Sequence, residues 1–192
     1  MRKKIILGIV ILAVIVGAVY FNKNYAIVKV GYGAIVVHID AARIGSEDWD
    51  ETVNCTPSLK KLTKLERLQL RAEENMDLNN LSEMKKLNEL TIYYFDGYYG
   101  RLDTLPDLPN IKYLRLIGDV EHKNIFTFSD NIKYNFSNIN TIELWLFDEI
   151  DINALEHFEN LHDIKILRSR KDLILEEQIE ELQKKGIDVE FI

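Results

Sequence analysis

The chain has 192 residues, and its 31 acidic side chains outnumber 24 basic ones, giving a formal net charge of −7. This acidic balance argues against nucleic acid and against anionic lipid as partners, because both attract basic surfaces. One cysteine, Cys55, excludes an internal disulfide. The length suits a single folded domain.

The amino terminus has the pattern of an export or membrane segment. Arg2, Lys3 and Lys4 precede residues 5–21, which carry no charged side chain. This run is short for a span, which needs roughly 20 residues, but longer than the roughly 7 to 15 of a signal-peptide core. An uncleaved signal anchor is favoured, with the amino terminus in the cytoplasm and the chain after Asn22 outside. A cleaved signal peptide and a secreted product are the alternative.

Two β-rich runs follow, at residues 26–30 and 34–40, separated by Gly31-Tyr32-Gly33. Short β-branched runs around a glycine-containing break predict a hairpin. Such a hairpin would cap the open edge of a sheet formed by the residues after it. The next stretch, residues 42–54, shows no pattern that assigns it a structure.

The segment LKKLTKLERLQL changes its apolar spacing within one short stretch. Leu59, Leu62, Leu65 and Leu68 are three residues apart, and Leu70 follows after two. A strict step of three drifts off the buried face of an α-helix within two turns, whereas a step of two belongs to an extended strand. The segment therefore predicts a corner followed by a short strand.

The same change from steps of three to a step of two occurs five times. The strands that it predicts begin at Leu68, Leu90, Leu114, Ile142 and Ile164, so their spacings are 22, 24, 28 and 22 residues. A period of 20 to 29 residues built on L-x-x-L-x-L resembles the leucine-rich repeat family. The resemblance implies an α/β leucine-rich repeat solenoid with a short parallel sheet, in which each unit contributes one strand. Extra residues at 118–135 predict a bulge in the fourth unit.

The repeats depart from the family at one position. The usual asparagine after each strand, whose side chain ties successive turns together, is replaced at all five positions: Glu73, Phe95, Asp119, Phe147 and Ser169. We therefore expect a degenerate, bacterial-type array. Its turns would be held by the packing of Phe95 and Phe147, or by longer turns.

The carboxyl terminus resembles a closing cap. Residues 176–185 have acidic side chains first and lysines last, and Gly186 follows, which is the order that favours a helix and its end. Ile187, Val189 and Phe191 then alternate as a last strand, with Ile187 expected in register with Ile164. The predicted domains are residues 1–24 (anchor or signal), 25–55 (β-rich cap) and 56–192 (repeat array with its carboxyl-terminal helix-strand cap).

The sequence contains no recognisable catalytic or metal-binding motif. The four histidines lie outside any H-E-x-x-H setting, and no G-x-S-x-G, P-loop or G-x-G-x-x-G is present. We therefore expect no enzymatic activity, no catalytic residues, no metal, no cofactor and no small-molecule substrate.

The inner curve of the solenoid is the candidate binding surface. One row on it, called the ridge row here, follows the second buried residue of each strand and is mostly apolar or aromatic: Arg71, Tyr93, Ile117, Trp145 and Leu167. The row between the buried residues, called the polar row, is mixed: Gln69, Thr91, Arg115, Glu143 and Lys165. Exposed Tyr and Trp often dominate protein interfaces. The candidate binding residues are therefore Tyr93, Ile117, Trp145, Leu167, Arg71, Arg115 and Glu143. The alternative is that the ridge row is partly buried core.

These patterns together predict a membrane-anchored, extracytoplasmic repeat protein that binds another protein through its concave face. The membrane contact would be residues 5–21. Two alternatives are a structural subunit of an envelope complex and, after signal cleavage, a secreted inhibitor or immunity protein.

Overall fold

A computed structural model describes residues 2–30, 33–41, 43–44, 53–54, 57–72, 79–94, 108–118, 124–126, 137–151, 155, 158–167 and 176–191. The chain forms a parallel β-solenoid with repeats of about 24 residues, preceded by a helix and a hairpin and followed by a short helix. Cys55 and Phe95 lie outside the described residues.

One sheet runs through the whole solenoid. Its amino-terminal strands are β1 (Tyr25–Val30), β2 (Gly33–His38), β3 (Arg43–Ile44) and β4 (Val53–Asn54). The strands of the array are β5 (Arg67–Ala72), β6 (Glu89–Tyr94), β7 (Tyr113–Ile117), β9 (Thr141–Trp145), β11 (Asp163–Leu167) and β12 (Asp188–Phe191). From β5 to β12 these strands pair in parallel and in chain order. The five predicted strand starts lie in register, from Leu68 opposite Leu90 to Ile142 opposite Ile164.

The three-residue spacing of the buried leucines arises from backbone hydrogen bonds between residues i and i+3. The amide of Leu62 donates to the carbonyl of Leu59 at 2.9 Å, and that of Leu65 to Leu62 at 3.0 Å. In such 3₁₀-type turns, side chains three residues apart point the same way. All three leucines are consequently buried, and the predicted corner is confirmed as the 3₁₀ helix Pro57–Lys61 and the turn after it.

Successive turns are also joined just before each strand. The carbonyl of Glu66 accepts the amides of Asn88 at 2.9 Å and Glu89 at 3.1 Å. The carbonyl of Asn88 in turn accepts the amides of Lys112 and Tyr113. The carbonyls of Lys112 and Asn140 do the same one and two turns later. This repeated shared acceptor satisfies the backbone where the chain enters the sheet.

The predicted amino-terminal hairpin is confirmed. Strands β1 and β2 pair antiparallel, with Ile27 opposite Val36. The hairpin reaches the array through residues that sequence patterns left unassigned: β4 lies between β1 and β5, and β3 also pairs with β5. Because β3 and β4 each have two residues, they carry no readable alternation.

A helix, α1 (Arg2–Asn24), leads directly into β1 without a linker. Most of its large apolar side chains from Ile11 to Phe21 are exposed. Within the part of the chain that the structure describes, no helix is long and apolar enough to cross a membrane.

A second, two-stranded parallel sheet connects the predicted bulge of the fourth unit to the segment after β9. Strand β8 (Ile125–Phe126) pairs with β10 (Glu149–Ile150). Phe147 packs edge-on against Phe126, with ring centroids 6.1 Å apart, so its predicted packing role is confirmed. An asparagine supplies the tie as well: buried Asn124 donates from Nδ2 to the carbonyl of Leu146 in the next turn at 3.0 Å.

The carboxyl-terminal cap consists of α2 (Glu176–Lys184) and β12, but the expected register of Ile187 is wrong. Val189, rather than Ile187, lies opposite Ile164. The amides of Gly186 and Ile187 donate to the carbonyls of Gln183 and Leu182, and Gly186 has φ +79°. This is the Schellman ending of a helix, which uses the Ile187 amide and delays the strand.

Candidate functional site

The ridge row is not an exposed surface along its whole length. Tyr93 and Ile117 are 4% and 1% exposed, so the prediction that they form an open binding ridge is wrong and the core alternative is right for these two. Trp145 and Leu167 are half-buried, and the side chain of Arg71 lies outside the described part of the structure.

Asn124 of the inserted segment packs beside Ile117, against Gly118. The strand ladder continues beyond Ile117, where the Gly118 amide donates to the carbonyl of Trp145 at 2.8 Å. Asn124, from the insertion, packs so tightly there that a Cβ on Gly118 would lie 2.5 Å from its Cγ. Asn124 therefore lies over the backbone at Gly118, directly after the last residue of β7. Tyr93 lies opposite Ile117 in the neighbouring strand and is buried beside it.

The polar row contains a compact charged and aromatic network. Glu143 is 4% exposed and accepts from Arg115 Nη2 at 3.0 Å and from Trp145 Nε1 at 2.5 Å. The Arg115 guanidinium also donates to Tyr113 Oη at 3.2 Å and lies over the Trp145 ring, 5.1 Å from its centroid. These contacts hold one arginine between two aromatic rings and one carboxylate.

Burial dominates the electrostatics of Glu143. Removal from water raises the pKa of this carboxyl above its usual value, while the hydrogen bond from Trp145 and the positive charge of Lys165 act in the opposite direction. Lys165 is itself paired with Glu190 at 3.6 Å.

A polar pocket of about 260 Å³ opens beside this network, over β5, β6 and β7. Two strand rows line most of it: Arg67, Glu89 and Tyr113 lie in register, as do Gln69, Thr91 and Arg115. Arg67 Nε pairs with Glu89 Oε2 at 2.7 Å. We call this the concave pocket.

Two atoms of residues lining the concave pocket have no hydrogen-bond partner. They are the acceptor Gln69 Oε1 and the donor Arg115 Nε, both shielded from solvent. Unsatisfied buried polar atoms are uncommon in native proteins, because each costs desolvation free energy. Because neither atom is accessible to water, a group bound in the pocket could reach them only if the surrounding side chains moved.

Most residues that line the pocket lie outside the predicted binding set, which includes only Arg115 among them. Arg67, Glu89 and Tyr113 come one position before the first buried residue of their strands. The signal was available, because the two-residue period of a strand places them on the same side as the polar row. Gln69 and Thr91 belong to the polar row but not to the predicted binding residues.

No group of three or more His, Cys, Asp and Glu side chains that could hold a metal ion occurs among the residues that the structure describes.

Comparison with known proteins yields no family assignment: no protein-family model matches the chain, and no curated protein matches it.

Proposed function

We propose that this protein is a membrane-tethered, extracytoplasmic module that binds another protein through the concave face of a divergent leucine-rich repeat array. The observation that carries the proposal is the concave pocket with its adjoining Arg115–Glu143–Trp145 network. Solenoids commonly bind partners on this face, and Arg and Trp are enriched among the residues that dominate interfaces.

The dimensions of the concave pocket favour one side chain or a short peptide segment over a whole cofactor. Its volume of about 260 Å³ is below the roughly 300 to 1,000 Å³ of typical small-molecule sites. Its floor is one face of a β-sheet, which offers a broad contact surface around the pocket.

The chemistry of the pocket favours a neutral polar group. Both arginines that line it are already paired, Arg67 with Glu89 and Arg115 with Glu143. The lining is therefore polar but offers no unpaired arginine to an anion. A carboxamide or peptide group is neutral and both donates and accepts hydrogen bonds, so it suits such a lining. We therefore propose that an amide of the partner protein enters the concave pocket.

Different observations support the proposed leucine-rich repeat family and the proposed membrane attachment. The spacing of the buried leucines and the 3₁₀ corners support a leucine-rich repeat with Asn124 in place of the usual asparagine ladder. The uncharged run of residues 5–21 and the exposed apolar side chains of α1 support attachment to a membrane. In this arrangement the amino terminus is cytoplasmic and the solenoid is outside.

A charge exchange that preserves an ion pair tests the function with little effect on the fold. The double variant Arg67→Glu with Glu89→Arg retains opposite charges on neighbouring strands but inverts the charge pattern at the pocket. The matched control exchanges Glu180 and Lys184, an exposed pair on α2. The full-length tagged chain is expressed in its native cells, and bound proteins are identified after crosslinking.

A partner captured by the wild type and by the α2 exchange, but lost from the pocket exchange, would support binding at this site. Circular dichroism of both variants checks that the solenoid remains folded. Retention of the same partner by a folded pocket exchange would contradict the proposal.

A further inference from the structure

The exit of α1 and the outer face of the β1–β2 hairpin form one continuous surface. Phe21 stacks on Tyr25, with ring centroids 5.3 Å apart, and Tyr25 meets His38 edge-on at 5.2 Å. Because β1 begins at Tyr25, directly after α1, the helix and the hairpin are joined without a flexible linker. The orientation of the solenoid is therefore coupled to that of the helix.

This surface continues as an exposed apolar pair. Ile27 and Val36 lie opposite each other and are 53% and 56% exposed, although the neighbouring Ala26 and Val28 point into the core. Two residues of strand rise about 7 Å, so this pair lies about that distance beyond Tyr25. The exposed apolar pair is thus within two strand residues of the exit of α1.

The charge around the helix exit differs from that of the whole chain. Lys23 lies in the last turn of α1, and Lys60 and Lys61 are exposed on the 3₁₀ helix that packs against β1. Lys61 Nζ donates to Asn22 Oδ1 at 2.8 Å, which places its ammonium group beside α1. Nearby Asp40 is paired with Lys64 at 2.7 Å.

We propose that this surface seats the domain on a bilayer containing anionic lipid, with Ile27 and Val36 in the interfacial layer and Lys23, Lys60 and Lys61 against headgroup phosphates. The aromatic side chains at the helix exit suit the same depth, because amphipathic rings concentrate at membrane interfaces. The net charge of −7 argued against anionic lipid, but it averages over the chain, whereas the described lysines Lys23, Lys60 and Lys61 concentrate positive charge at the helix exit. The inference rests on the proposed attachment through α1.

Depth-dependent quenching of a label on the full chain tests the seating. In a Cys55→Ser background, single cysteines at Ile27, Val36 or Lys184 carry an environment-sensitive fluorophore. The chain is reconstituted into phosphatidylcholine vesicles with an anionic fraction of phosphatidylglycerol and a nitroxide-headgroup lipid. Labels at positions 27 and 36 should be quenched several-fold more strongly than the label at 184, which lies on α2 at the far end of the sheet.

A second arm separates the charge from the apolar contact. Lys60→Glu with Lys61→Glu should reduce quenching at position 36 on anionic vesicles and leave it unchanged on purely zwitterionic ones. Far-UV circular dichroism confirms that each labelled chain is folded.

The outcomes distinguish this inference from the attachment on which it rests. A chain removed from vesicles by an alkaline wash refutes both. A chain that stays in the vesicles, with labels at 27 and 36 quenched no more than the label at 184, refutes only the seating. Equal quenching of wild type and the lysine variant on anionic vesicles refutes the role of the lysines.

Discussion

Gly118 offers the sharpest test of how the inserted segment holds the solenoid together. A Cβ at this position would lie 2.5 Å from Asn124 Cγ, 2.6 Å from Asn124 Nδ2 and 2.8 Å from the carbonyl oxygen of Leu146. Such distances require the neighbours to move. Gly118 does not have a positive φ, so the effect of an alanine there is steric and not a backbone strain.

The expected cost of Gly118→Ala follows from two contributions. Overpacking a closely fitted site costs about 1 to 3 kcal/mol. Displacing Asn124 from the buried carbonyl of Leu146 costs about 1 to 3 kcal/mol more. We therefore expect the free energy of unfolding to fall by about 2 to 6 kcal/mol, as the sum of these two contributions. Urea denaturation of the full chain in mild detergent, followed by circular dichroism, measures this loss.

Asn124→Ala provides the second side of a double-mutant cycle. Two of the three close contacts disappear with the Asn124 side chain, so Gly118→Ala should cost at least about 1 kcal/mol less in the Asn124→Ala background than in the wild type. Gly186→Ala is the matched control. It has φ +79° with open space around it, so its cost of about 1 to 2 kcal/mol is backbone strain and should be independent of Asn124. Additive effects of Gly118→Ala and Asn124→Ala would refute the reasoning.

Three further predictions concern the network and the array. Glu143→Ala leaves Arg115 and Trp145 without their shared acceptor and should lower the free energy of unfolding by about 2 to 4 kcal/mol in urea denaturation. This is less than the full cost of breaking a buried pair, because Arg115 is partly exposed. Glu190→Ala removes one partner of an exposed pair and should cost less than about 0.5 kcal/mol, so equal losses in the two variants would contradict the network. Because burial raises the folded-state pKa of Glu143, its contribution to stability is complete below about pH 4 and declines as the pH rises through that pKa. Glu143→Gln should therefore lose less stability relative to wild type at pH 7 than at pH 4, and a constant difference in denaturation at both pH values would count against this. Leu114→Asp, at a fully buried position, should reduce hydrogen-exchange protection in β6 and β9 as well as β7, because turns of a solenoid stabilise their neighbours; protection lost in β7 alone would show that they do not.

The repeat was readable from the sequence because its spacing has one geometric cause at each step. Every third leucine of a corner, such as Leu59 and Leu62, is fixed by a hydrogen bond between the backbones of those same residues. The switch to a step of two then follows from the strand period. Local geometry of this kind leaves its period in the sequence, so the strand starts from Leu68 to Ile164 could be predicted with their register.

The features that the sequence did not predict depend on two elements competing for the same backbone amide, or on residues far apart in the chain. Ile187 has the spacing of a strand residue, but the end of α2 uses its amide first. The burial of Tyr93 and Ile117 depends on tertiary packing that the period of a strand does not encode. Asn124 lies outside the positions where a leucine-rich repeat would place an asparagine. The concave pocket depends on the register of three strands, and the leucine period suggests that register. The pocket also depends on side-chain pairs such as Arg67 with Glu89, which the period does not encode.

Successive strands of a solenoid are neighbours in the sheet, so the number of strands between the two proposed surfaces gives the distance between them. In the sheet β5 is two strands from β1, and β7 is four strands from it. With about 4.8 Å between neighbouring strands, the concave pocket lies about 10 to 19 Å along the sheet from the hairpin. Tyr93 and Ile117, near the carboxyl ends of β6 and β7, are buried, whereas the concave pocket lies toward the amino-terminal ends of these strands. With the hairpin seated on a bilayer, a protein that reaches this pocket must itself lie close to the membrane surface, and partners should be sought first among membrane-associated proteins.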